Sequence, residues 1–227
     1  MIIDRGMVSA TEFAYIAGVS DREVNRLVDE RILPDFLFKI DNGRRFDLSA
    51  AALASFYFGA VDVLTAETRK SVIRELAERI KDEPTCNVVF ECESCSHATA
   101  SHKLDLHVYW RFLKIDMDPF VSAVCERATD AARASQTVLS DPEILGGEPV
   151  FAGTRVPVDN VLGSLDEGMS LENLQSSWSF LSKSLIDDAR LYVKLHPRRG
   201  RPRAPNVEVA GWKLRSRKII PPGTNDA

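Results

Sequence analysis

Arg22, Asn25 and Arg26 fall within one short stretch, and a spacing of four along a helix puts Arg22 and Arg26 on one face. Guanidinium and carboxamide groups match the hydrogen-bonding edges of purines, and guanidinium also holds phosphate. Lys39, Arg44 and Arg45 form a second group of cations shortly after. Asp21, Glu23, Asp29 and Glu30 interleave with the first group, so a solvated surface of mixed charge is the competing reading. Cys92-x-x-Cys95 is followed by His102 and His107, with Cys86 and His97 nearby, a composition able to make a tetrahedral zinc site. The spacer from Cys95 to His102 is shorter than a finger loop and His107 falls in an expected strand, so ordinary strand and loop residues are the default. No metal or other cofactor is expected. Near the end of the chain, Arg198, Arg199, Arg201, Arg203, Arg215 and Arg217 surround Trp212, a set that could contact DNA phosphates or remain solvated. The sequence has no Gly-rich phosphate loop, zincin pattern or serine-hydrolase signature, so it does not read as an enzyme.

The elements that position these groups are mostly helical. Phe13, Ile16 and Ala17, then Val24, Leu27, Val28 and Ile32, recur at helical intervals. Between the two runs, Gly18 suits a left-handed helix end and Ser20 with Glu23 a capping box, which together make a tight helix-turn-helix. Leu33-Pro34 stops the second helix, and Asn42-Gly43 between two apolar-rich runs is a hairpin signal, giving a two-stranded wing that carries Lys39, Arg44 and Arg45. Residues 48–59 and 65–81 read as two further helices, with Ser49 and Thr65 as caps. NVVFEC and LDLHVYW suit strands, Asp118-Pro119 starts a helix, and Leu139-Ser140-Asp141-Pro142 reads as a linker. Three short helices then follow at 158–167, 171–177 and 182–195, with Gly168 ending the first and Ser170 capping the second.

The expected fold class is therefore mainly α with small β elements (α+β): an N-terminal winged helix-turn-helix, a C-terminal trihelical helix-turn-helix-like domain and a flexible basic tail. Its expected domains are 1–84, the DNA-binding module with its following helices; 85–140, a β-containing middle and connecting helix; 141–197, the trihelical domain; and 198–227, the tail. A chain of 227 residues with 44% apolar and 27% charged side chains is an ordinary globular composition. No apolar run approaches the roughly 20 residues of a membrane helix, and Asp4 and Glu12 stand where a signal peptide would be apolar, so a cytoplasmic protein is expected. The formal net charge of -4 hides an asymmetry. From Lys194 onward nine basic side chains face two acidic ones, leaving about -11 on the rest. An acidic body binds nucleic acid only through local basic surfaces.

The stretch SATEFAYIAGVSDREVNRLVDERILP, its hairpin and GRRFDLSAAAL resemble the MerR and excisionase type of winged helix. SDPEILGGEPVFAGTRVPVDNVLGSLDEGMSLENLQ with FLSKSLIDDARLYVKL resembles the trihelical domain of VapB-type antitoxins, which are paired with PIN-like ribonuclease toxins. In the GGEPVFAGTRVPV segment, Gly146, Gly147, Gly153 and Pro157 are expected to shape the fold, leaving Arg155 as the functional contact. The resemblance implies an antitoxin of a type II module that binds operator DNA as a homodimer, represses its own operon and neutralises the toxin. It further implies that Arg198, Arg199, Arg201, Arg203, Arg215 and Arg217, with Trp212 as aromatic anchor, bind the toxin against its acidic metal-holding residues. The alternative is a stand-alone DNA-binding transcription regulator without a toxin partner.

Overall fold

The computed structural model describes residues 7–41, 43–82, 107–110 and 112–197. The chain is mainly helical with three small antiparallel sheets, an α+β architecture. Strand β1 (Met7–Ser9) leads into α1 (Ala10–Ala17), where Ser9 Oγ accepts the Glu12 N–H at 3.2 Å and so caps the helix. The helix closes at Gly18, whose φ of 69° lets the Val19 N–H reach back to the Ala14 carbonyl at 2.9 Å. Helix α2 (Asp21–Asp29) begins with the full capping box: Ser20 Oγ accepts the Glu23 N–H, and Glu23 Oε2 accepts the Ser20 N–H. Its far end has the same reverse bond, from the Ile32 N–H to the Leu27 carbonyl, with Arg31 rather than a glycine at positive φ.

Strands β2 (Phe38–Ile40) and β3 (Arg44–Asp47) form the expected hairpin, and β1 joins it to give the order β1-β3-β2. Phe46 lies at the centre of this sheet opposite Val8 and Phe38 and stacks on Phe13 of α1 with ring centres 4.5 Å apart. This buried aromatic contact fixes the sheet to α1. Helix α3 (Ala50–Gly59) follows, and here the capping group is Asp47 rather than Ser49: the buried Asp47 Oδ1 accepts both the Ser49 N–H at 2.9 Å and its hydroxyl at 2.6 Å. Thr65 caps α4 (Ala66–Asp82) as expected, accepting the Thr68 N–H at 3.3 Å.

Of the strands expected in the middle, the segment holding NVVFEC lies outside the described residues; β4 (His107–Trp110) pairs with β5 (Leu113–Asp116). Helix α5 (Asp118–Thr137) has Pro119 in its first turn and packs along α1 and α3, bringing Val124, Cys125, Ala128 and Ala131 into the large core beside Phe13, Leu53 and Ile73. Of the segment read as a linker, Leu139 belongs to β6 (Val138–Leu139), which pairs with β7 (Val150–Phe151), and Ser140 to Pro142 lie outside helix and strand. Then come α6 (Val158–Asp166), α7 (Leu171–Ser177) and α8 (Lys183–Leu195). A second, smaller core gathers Val138, Phe151, Val158, Val161, Leu174, Leu181 and Ala189. The two cores are stapled by α8, which packs on α5, places Leu195 in the larger core and offers the buried Asp188 to Arg133 at 2.9 Å. Among the described residues no helix is long and apolar enough to cross a membrane.

Candidate nucleic-acid interface

Helix α2 and the β2–β3 hairpin bring the six candidate residues Arg22, Asn25, Arg26, Lys39, Arg44 and Arg45 onto neighbouring elements, but with different roles. Arg44 is a brace. Its Nη1 donates to Asn25 Oδ1 at 2.7 Å and to the Asn25 carbonyl, and its Nη2 meets Asp29 Oδ1 at 2.6 Å, tying the hairpin to the middle of α2. Arg44 thus engages one of the two acceptor sites on the Asn25 carboxamide oxygen and fixes its orientation, leaving the second site and the NH₂ for an outside partner. Arg26 grips Glu30 with two donors, at 2.7 and 3.3 Å, and lies over the Phe58 ring. The hydrogen bond from Arg26 holds the Glu30 carboxyl below its ordinary range, and the same bond holds the guanidinium above its own.

Arg22, Lys39 and Arg45 are exposed and have no hydrogen bond or ion pair among the described residues. Lys39 and Arg45 stand directly opposite one another across β2 and β3, where like charges repel by a few tenths to about 1 kcal/mol. An anion between them relieves that repulsion. The acidic neighbours that argued for a merely solvated surface are largely engaged: Glu23 in the capping box, Asp29 by Arg44 and Glu30 by Arg26. Asp21 remains, in the first turn of α2, where the helix dipole favours a negative charge. Among the described residues of α2, its end and the hairpin, the charges without a side-chain hydrogen bond or ion pair are thus the cations Arg22, Arg31, Lys39 and Arg45 and the carboxylates Asp21 and Asp41.

Register decides this arrangement. A two-residue turn at Asn42-Gly43 would set Lys39 opposite Phe46, whereas the loop spans Asp41 to Gly43, with the Asp41 N–H bonded to the Gly43 carbonyl, and sets Lys39 opposite Arg45. Two further arginines matter to the face. Arg31, exposed at the end of α2 with φ 49°, has no composition or spacing signal that would single it out. Arg127 of α5 donates to the Ile16 carbonyl at 2.8 Å, and its guanidinium lies where a side chain at Gly18 would project. It caps the C-terminal end of α1, the place where a cation offsets the helix dipole.

The remaining candidates fall elsewhere. Arg155 is exposed in the turn after β7, where Thr154 Oγ1 donates to the Phe151 carbonyl. Arg198, Arg199, Arg201, Arg203, Trp212, Arg215 and Arg217 lie outside the described residues, as do Cys86, Cys92, Cys95, His97 and His102. His107 is described and faces Asp116 across the hairpin, with Nε2 3.8 Å from Oδ1. With Asp118 it forms a group whose donor atoms lie within 4.8 Å of one another. Asp116 Oδ1 also accepts the Asp118 N–H at 2.9 Å, so the local arrangement doubles as the cap that starts α5.

Residues 138–193 match a family profile described as a protein of unknown function (DUF433). Those bounds coincide with the smaller core, whose members run from Val138 to Tyr192. Over most of its length the chain is similar to the uncharacterized protein y4eO of Sinorhizobium fredii (strain NBRC 101917 / NGR234), with 39% identity over 197 residues that cover 87% of this chain and 85% of that one. The chain belongs to the family of that protein. No solved structure gives a significant match.

Proposed function

We propose that this chain is an antitoxin of a type II toxin-antitoxin module. It binds operator DNA through a winged helix-turn-helix made of α1, α2 and the β2–β3 wing, and neutralises a PIN-like ribonuclease through the basic segment after Pro197. The observation that carries the DNA half is the unpaired set Arg22, Lys39 and Arg45, displayed on a helix and hairpin whose neighbouring acids are mostly engaged. In such motifs the second helix enters the major groove while the wing and helix N-termini hold the backbone. Here Arg22 reads a base edge or phosphate from the first turn of α2, Lys39 and Arg45 hold phosphate, Arg44 ties the wing to α2, and Arg127 holds the end of α1 at the turn. A homodimer matches two half-sites of an operator, and no catalytic step is assigned.

The toxin half rests on the resemblance of the C-terminal region and the charge of the segment after Pro197. The alternative is a stand-alone DNA-binding transcription regulator without a toxin partner. Binding of the full chain to DNA from upstream of its own gene, followed by fluorescence anisotropy across a salt series, tests the DNA half. Replacing both Lys39 and Arg45 by Ala is expected to lower the slope of log affinity against log salt by about two, one for each phosphate that is no longer neutralised. An unchanged slope rejects the assignment of these residues. Co-purification from native cells, with full-length bait and bait truncated after Pro197, tests the other half. A PIN-like protein retained only by the full chain supports the antitoxin, and its absence while operator binding persists leaves the regulator.

A further inference from the structure

The tip of the β4–β5 hairpin and the loop joining α3 to α4 form a surface with its own chemistry. Phe112 at the hairpin tip is fully exposed and Val63 of the loop is 83% exposed, with Leu113 about half exposed beside them. Single exposed apolar side chains are ordinary on a protein surface, but these converge. They line one cleft of about 520 Å³ with Leu64, Thr65, Thr68 and Glu67, whose carboxylate is turned to Arg74 at 3.1 Å. The cleft is open to solvent, and its volume is within the roughly 300–1,000 Å³ of ligand clefts and exceeds that of a single aromatic ring. Phe112 borders the cleft without being covered by it.

A projecting ring beside a cleft wide enough to receive one is a self-complementary surface. Under a twofold rotation the ring of each copy enters the cleft of the other, which is the condition for an isologous contact. Charge supports the same occupant. Asp62 stands on the loop half and Lys114 on the hairpin half, both exposed and neither with an ion pair among the described residues. The rotation brings the hairpin half of one copy against the loop half of the other, so Lys114 meets Asp62 of the second copy twice over. We propose that the cleft between the α3–α4 loop and the β4–β5 hairpin is the surface through which two copies of this chain associate, with Phe112 as the anchor and Asp62 and Lys114 setting the register. This deepens the homodimer part of the reading above and rests on it there alone.

Sedimentation of the full chain over a concentration series tests the proposal. The wild-type chain is expected to associate to a dimer. Phe112→Glu is expected to weaken association at least about thirtyfold, as removal of a central aromatic anchor does, with the melting temperature unchanged at dilutions where both chains are monomeric, because the ring is exposed in the single chain. Asp62→Lys and Lys114→Asp each weaken it roughly two- to tenfold, and combining them restores wild-type association. A monomer at every concentration overturns the proposal, as does a dimer indifferent to Phe112→Glu. A lowered melting temperature of the monomer, measured at those dilutions, does so too, since it places the ring against the chain's own residues. Operator binding is read separately. Association by this surface without DNA binding rejects the operator reading alone, and DNA binding by a chain that associates elsewhere rejects this surface alone.

Discussion

The chain contains the same turn twice. Gly18-Val19-Ser20 and Gly168-Met169-Ser170 each close one helix with a positive-φ glycine, send the next N–H back to a carbonyl five residues earlier, and cap the following helix with the serine hydroxyl. The Val19 N–H meets Ala14 at 2.9 Å, and the Met169 N–H meets Ser164 at 3.0 Å. The helices that leave the two turns differ. Helix α2 buries Val24 and Leu27 against a large core and presents Arg22 beside a cationic hairpin. Helix α7, with the sequence LENLQSS, buries Leu174 alone, has Glu172 in its first turn and carries no cation. A helix-turn-helix geometry is therefore a local property, while competence for an anionic partner comes from the face that geometry displays.

The two regions should separate most clearly in how they unfold. The smaller core has Phe151 as its single large buried aromatic side chain, whereas the larger one holds Phe13, Phe46 and Phe56. Phe151→Ala is expected to cost about 3–5 kcal/mol and to release the amides of α6 and α7 to hydrogen exchange before those of α1 and α2. Release at the same rate in both regions would join the two cores into one cooperative unit.

The two turn glycines sharpen the comparison at a smaller scale. Either glycine replaced by Ala puts a Cβ into left-handed backbone, at about 1–2 kcal/mol. At Gly18 the new Cβ lies 2.9 Å from the Arg127 guanidinium and displaces its bond to Ile16, whereas at Gly168 it meets open space. Gly18→Ala should accordingly cost about 1 kcal/mol more than Gly168→Ala in denaturant titrations. Equal costs would show that Arg127 re-forms its bond. The smallest effect is a gain. Arg31 occupies at the end of α2 the position that Gly18 holds at the end of α1, so Arg31→Gly should stabilise by up to about 1 kcal/mol in thermal unfolding. If Arg31 contacts the operator, the same variant binds DNA less tightly.

Features written within a few residues were legible in the sequence. The glycine ends, the Ser20 and Ser170 caps, the start of α5 at Asp118-Pro119 and the helical periods of α1 and α2 rest on interactions that span at most one or two turns. Features that depend on distant pairing were not. Strand β1 is three residues long and acquires its identity only from Met7 to Ser9 lying beside Asp47 to Arg45. Ser49 has the residue type of a cap, yet Asp47 takes that role because it is buried at the strand end and already points along the helix start. Of the candidate site, the residue types were legible and the division of labour was not. Arg44 and Arg45 are adjacent and chemically identical, but alternation along β3 turns one towards α2 and the other to solvent.

Arg127 governs how this protein can be taken apart. It lies 111 positions from the Ile16 carbonyl it caps, and near the start of the same helix Phe120 meets Phe56 edge-on at 5.5 Å. A fragment ending at Asp82 would contain every element of the cationic face and lack two of the interactions that hold its helices in place. The portable unit is thus discontinuous: a graft into another scaffold must bring α5 with it, and shuffling of this face between proteins is constrained by a helix that carries none of the unpaired cations Arg22, Lys39 and Arg45.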